Sequence, residues 1–170
     1  MAQKIQKIAT FLWFDKNAEE AVNFYTSLFK DSKILQTVHY GEGMPGKAGT
    51  VMVIDFLLNG QKFTALNGGS VFKFNESISL TVSCDDQKEI DYFWEKLTEG
   101  GTESVCGWLK DKFGLSWQIV PANLAELLND SDAARSQRVM DAVMKMVKLD
   151  IKTLEKAYNN NKKRTQKQKK

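Results

Sequence analysis

Few side chains in this 170-residue chain could carry covalent or metal chemistry. His39 is its single histidine, so a zinc site built on several imidazoles is excluded by count. Cys84 and Cys106 are the two thiols, too few and too far apart for a disulfide framework or a Cys-x-x-Cys site. Two reduced thiols suit a cytoplasmic protein. Neither Gly-x-Ser-x-Gly nor Gly-x-x-x-x-Gly-Lys-Ser/Thr occurs. Among the carboxylates, Asp55 stands inside an apolar run. To act as a general base it would need a pKa raised toward the working pH.

Strand alternation gives Asp55 its expected neighbours. Thr10, Leu12 and Phe14 share one face of their strand, and Val53, Asp55 and Leu57 share a face of theirs. Ser77, Ser79 and Thr81 form a third set, and Ser116, Gln118 and Val120 a fourth. These mixed sets suit a small, partly polar cavity, expected to be lined by Thr10, Leu12, Phe14, Val53, Asp55, Ser77, Ser79, Ser116 and Gln118. A buried Asp55 needs a donor, and Gln118 or a serine is expected to supply it. The opposite faces carry Met52, Ile54, Phe56, Ile78, Leu80, Val82, Trp117 and Ile119, which suit a helix-packed side.

The elements that must position these residues start with TFLWFDKNAEEAVNFYTSLF, Thr10 to Phe29. Phe11 to Phe14 reads as a strand. Asn17 with Glu20 reads as a capping box, and Ala18, Ala21, Val22, Tyr25, Leu28 and Phe29 form an apolar helical face. A weaker copy follows, with a strand from Ser77 to Ser83 and a helix capped by Asp86 and Glu89. Strands are expected at Ile34 to Tyr40, Thr50 to Leu58 and Gln61 to Leu66, the last two joined by the hairpin signal Asn59-Gly60. Between the first two, the glycine-rich loop from Gly41 to Gly49 reads as mobile. Short strands at Thr102 to Val105, Trp108 to Lys112 and Leu115 to Val120 complete the second copy. The order is strand, helix, three strands, twice over.

After Pro121, helices are expected from Ala122 to Leu128, then from a cap at Asp130 or Ser131, then from Asp150. Met140, Met144 and Met146 read as core or dimer packing. The fold class is α+β: two βαβββ modules, residues 5–66 and 76–120, a helical extension, 121–158, and a disordered basic tail, 159–170.

Net charge is +3, yet six of the 24 Lys and Arg lie in the last nine residues. The remaining 18 basic residues face 21 acidic ones, so the body is mildly acidic and nucleic acid is not an expected partner. No apolar run approaches the roughly 20 residues that span a bilayer, and no secretory leader is visible.

The paired modules resemble the vicinal oxygen chelate superfamily, which includes glyoxalase I, extradiol dioxygenases and bleomycin-resistance proteins. FLWFDKNAEEAVNFYTSLF, DKFGLSWQIVP and RVMDAVMKMVKLDIKTLEKAY resemble its PhnB-like branch, labelled 3-demethylubiquinone-9 3-methyltransferase domain, across roughly Ile5 to Tyr158. The resemblance implies a cup-shaped mixed sheet with a cavity on its concave face, and a homodimer. In metal-dependent members His and Glu on the first and last strands of each module hold the ion. Here the corresponding positions are Thr10, Asp55, Ser77 and Gln118, of which only Asp55 is a good ligand for a hard cation. The expectation is a metal-free protein, without a cofactor, that binds a small molecule. An enzyme using Asp55 as base, with Thr10, Ser77 and Gln118 positioning the substrate, is the alternative. A common methyltransferase needs a doubly wound sheet with a glycine-rich first turn, whereas the turn here is Asp15-Lys16-Asn17.

Overall fold

The computed structural model describes residues 7–160. The chain divides into two units, one ending at Asn75 and one beginning at Glu76. The first holds β1 (Thr10–Phe14), α1 (Ala18–Leu28), β2 (Lys33–His39), β3 (Val51–Leu58) and β4 (Gln61–Asn67). Its sheet runs β1-β4-β3-β2, with β1 parallel to β4 and the other pairs antiparallel. The second holds β5 (Ser79–Cys84), α2 (Gln87–Thr98), β6 (Thr102–Glu103), β7 (Trp108–Lys110) and β8 (Ser116–Pro121). Its sheet runs β5-β8-β7-β6 with the same parallel and antiparallel pattern. The duplication read in the sequence is therefore a duplication of topology, in an α+β fold of two mixed sheets.

In the first unit α1 lies against one sheet face. Ala18, Ala21, Val22 and Tyr25 meet Leu12, Phe14, Ile54, Phe56, Phe63 and Ala65, all buried. Each large side chain so buried contributes about 1.5–3 kcal/mol. Asn59 and Gly60 turn β3 into β4 with φ of 48° and 75°, the left-handed pair that a two-residue hairpin requires. The expected Asn17 capping box is not formed, because Asn17 makes no side-chain cap bond. Asn67, at the far end of β4, caps α1 instead: its Oδ1 accepts from the Ala18 amide at 2.9 Å. The parallel β1–β4 register places Asn67 opposite Phe14, within reach of the helix start.

In the second unit α2 buries Ile90, Trp94 and Leu97 on the side of Val82, Leu109, Trp117 and Ile119. Asp86 caps it as expected, accepting from the Glu89 amide, while Glu89 reaches back to the Asp85 amide rather than to that of Asp86. Three further helices follow: α3 (Leu124–Leu128), α4 (Ala133–Val143) and α5 (Ile151–Asn159). The cap of α4 is Asp132, not Asp130 or Ser131; Asp130 accepts from the Asp132 amide and so supports the turn before it. Asp150 caps α5 as expected. Val139, Val143, Leu149 and Leu154 make a small core of their own. Met140 and Met144 lie exposed, while Met146 packs against that core. The amides of Cys106 and Gly107 donate to Met146 and Val147 at 2.8 Å each, tying the extension to its module. Gln87 accepts from the Ile151 amide and donates to the Leu149 carbonyl, a second tie. The expected basic tail lies outside the described residues from 161 onward, and Asn159 belongs to α5. Among the described residues no helix is long and apolar enough to cross a membrane.

Candidate functional site

Each sheet has one face covered by its own helix and one that is not. Asp55 lies on the helix-free face of the first sheet, opposite Thr64 on β4 and Gln36 on β2. Thr64 Oγ1 donates to its Oδ1 at 2.6 Å, and Lys62 Nζ sits 3.0 Å from its Oδ2. These local donors replace the expected Gln118 or serine. Burial alone would raise this carboxyl, but the Thr64 and Lys62 bonds and the Lys62 charge outweigh it and hold it below the ordinary value. Asp55 is thus a carboxylate already spent on its neighbours.

The register corrects the expected cavity on β1. Thr10, Leu12 and Phe14 pair with Phe63, Ala65 and Asn67, so they share the helix-covered face. Leu12 and Phe14 are core residues, 4% and 3% exposed. Phe11 and Trp13 take the face that carries Asp55 and Val53. Alternation within a strand was read correctly, but alternation cannot say which set faces the helix. The parallel pairing with β4, invisible in sequence, decides it. Trp13 is fixed there by its Nε1 donating to the Gly69 carbonyl at 2.8 Å. Gly68 lies flat beneath it: an added β-carbon would stand 2.3 Å from the ring.

On the second sheet Ser79, Ser116 and Gln118 share the face opposite α2, where Val120 packs against the core of α4 and α5. Ser79 pairs with Ser116, and Gln118 pairs with Thr81 and Trp108. Gln118 Nε2 donates to Ser79 Oγ at 2.8 Å. Ser116 is 1% exposed, and its hydroxyl has no hydrogen-bond partner among the described residues. Ser77 lies in the turn before β5 rather than within the strand. Lys110, opposite Ser116, pairs with Glu76.

The thiols and the histidine stand apart from these groups. His39 is the exposed last residue of β2. Cys84 is buried, and burial together with Glu89, Asp85 and Asp86 pushes its thiol up to about 12. It is therefore protonated and inert at neutral pH.

The superfamily's metal can be tested against these donors. Thr10 lies on the wrong face, Asp55 is bound to Lys62 and Thr64, and Gln118, whose Nε2 donates to Ser79, offers only a neutral amide oxygen. No group of three or more His, Cys, Asp or Glu that could hold an ion occurs among the described residues. The donor set does not fit a divalent cation.

A cavity of about 400 Å³ opens elsewhere in the first unit, at the strand ends. Its walls are the β1–α1 turn, the β2–β3 loop and the exit of β4, including Lys16, Tyr40, Lys47, Asn67 and Gly69. Sequence reading singled out the glycine-rich loop as mobile but not as a wall. That loop is laced by hydrogen bonds: the Tyr40 amide donates to the Thr50 carbonyl at 2.9 Å, the Gly49 amide donates to the Tyr40 carbonyl, and the amide and Oγ1 of Thr50 both donate to the Lys47 carbonyl.

A family model described as 3-demethylubiquinone-9 3-methyltransferase matches residues 6–120. The PhnB protein of Bacillus cereus, a solved structure named for the same methyltransferase, is 43% identical with a TM-score of 0.63; the match covers 68% of this chain and 99% of that one. A Pseudomonas aeruginosa protein is 18% identical with a TM-score of 0.57, covering 69% and 98%. The fosfomycin resistance protein FosX from Listeria monocytogenes is 14% identical with a TM-score of 0.53, covering 76% and 100%. The last two share the fold alone. No curated protein matches this chain. The family match stops at residue 120, so the expected reach to Tyr158 is corrected and α3, α4 and α5 lie beyond it. The family match, the 43% identity and the repeated sheet topology agree: the chain belongs to the 3-demethylubiquinone-9 3-methyltransferase family, the PhnB-like branch of the vicinal oxygen chelate superfamily.

Proposed function

We propose that this chain binds a small molecule without a resident divalent metal, the ligand lying on the helix-free face of the first sheet, and that it works as a cytoplasmic homodimer. The observation that carries this reading is the state of Asp55. Among the four positions where the superfamily's metal ligands fall, it is the single carboxylate, and Lys62 and Thr64 already occupy both its oxygens. A cation would have to displace an ammonium and a hydroxyl and would gain no second charged ligand.

The same pairing argues against Asp55 as a general base. That role calls for a raised pKa, and Lys62 and Thr64 lower it. Methyl transfer of the common type calls for a doubly wound sheet, whereas both sheets here are four-stranded and mixed. The aromatic side chains Phe11 and Trp13, on the same face of the first sheet as Asp55 and Thr64, supply the mixture of apolar wall and few polar groups usual for ligand sites. The dimer follows from the superfamily, whose members commonly pair.

Calorimetric titration with Mn²⁺ and Zn²⁺ tests the reading. It predicts no saturable site, and the same trace for Asp55→Asn. One tightly bound ion per chain, lost in Asp55→Asn, would overturn it.

A further inference from the structure

We propose that the strand-end cavity of the first unit is a binding site for a small phosphate monoester, cradled by the loop between β2 and β3. This site is separate from the sheet faces discussed above and does not depend on the proposal made for them. Its volume, about 400 Å³, lies in the range of small-ligand sites.

The walls are built rather than incidental. Asn67 Oδ1 holds the first amide of α1, its Nδ2 donates to the Val51 carbonyl at 2.9 Å, and its own carbonyl accepts from the Tyr40 hydroxyl. One residue thus joins three of the surrounding segments. The loop seats on this frame through Gly46. A β-carbon there would stand 2.4 Å from the Tyr40 ring, so only glycine lets the loop lie flat on it.

The chemistry of the lining favours an oxyanion. Lys16 and Lys47 reach it from opposite segments, and Asp15 offsets only one of the two charges. The amides of Gly46 and Lys47 make no hydrogen bond among the described residues and are available to a ligand oxygen. Gly41, Gly46 and Lys47 have the spacing of a phosphate-cradling loop, with Ala48 in place of the metal-binding hydroxyl. The strand β3 follows instead of a helix, so metal–nucleotide chemistry does not carry over. What remains is glycine backbone and paired ammonium groups, a phosphate cradle without a cation. A dianion matches two lysines better than a monoanion, and the Tyr40 ring and Pro45 suit a flat apolar body.

The test is an amide NMR titration of the isotope-labelled full chain with phenyl phosphate, benzoate and benzyl alcohol. Phenyl phosphate is expected to give saturable shifts at Gly46, Lys47, Gly68 and Gly69, with benzoate weaker and benzyl alcohol silent. Lys16→Gln with Lys47→Gln should weaken phenyl phosphate by about tenfold or more. Gly46→Ala, which leaves charge unchanged, should weaken it too by lifting the loop. Shifts centred elsewhere, equal binding of benzoate or benzyl alcohol, or undiminished binding in the double lysine variant would each overturn the proposal.

Discussion

Asp55 and the two cysteines give the sharpest statements at the scale of single residues. The Asp55 carboxyl is held below its unfolded value, so its stabilisation is complete above the unfolded pKa of about 4 and is lost as pH falls through the folded value. Asp55→Asn should therefore cost about 1 kcal/mol in urea denaturation at neutral pH. The gap between variant and parent should narrow steadily as pH falls below the unfolded value, and a gap that does not change with pH there would assign the cost to something other than the charge. Cys84, with its thiol raised to about 12 by burial and nearby carboxylates, should resist alkylation in the folded chain and react only on unfolding. Cys106 is half-buried and should react first, so mass spectrometry of the native chain should show one modified thiol. Gly68 makes a third case. Gly68→Ala forces its methyl into the Trp13 ring and should cost about 1–3 kcal/mol, with loss of near-ultraviolet signal as the Trp13 bond to Gly69 breaks.

At the scale of elements, the start of α1 separates what a local pattern can show from what it cannot. Asn17 and Glu20 have the spacing of a capping box, yet Asn67, 49 residues away from its partner amide, does the capping. Asn67→Ala should cost about 1–2 kcal/mol, whereas Asn17→Ala should cost only a few tenths, about the background for a surface change. Equal costs, measured by thermal or urea unfolding, would restore the local cap. The strands, the helices and the Asn59-Gly60 hairpin were legible because each is specified by neighbours in sequence. The face taken by Leu12 and Phe14 was not, because it depends on a parallel partner supplied by β4. For the same reason the strand-end cavity was hidden: Lys16, Asn67 and the pair Tyr40 and Lys47 come from three separate stretches. On the second sheet Ser79 and Gln118 lie on one face, since the parallel register sets Ser79 opposite Ser116 and Thr81 opposite Gln118.

For the whole molecule, the family frame spans both modules and ends at residue 120, and this chain adds α3, α4 and α5 to the second. The addition is bonded at Cys106, Gly107 and Gln87 and centred on Leu149 and Leu154, both fully buried. The central claim concerns the site rather than the addition: the proposal that this family fold binds a small molecule without a resident divalent metal. Native mass spectrometry of the freshly purified chain tests it most directly, because a single spectrum reports oligomer, metal and retained ligand. The account predicts a dimer of the 19.3 kDa chain, free of divalent ion, with a small organic molecule released on activation. A dimer carrying one divalent ion per chain would contradict it and return the protein to the metal-dependent side of its superfamily.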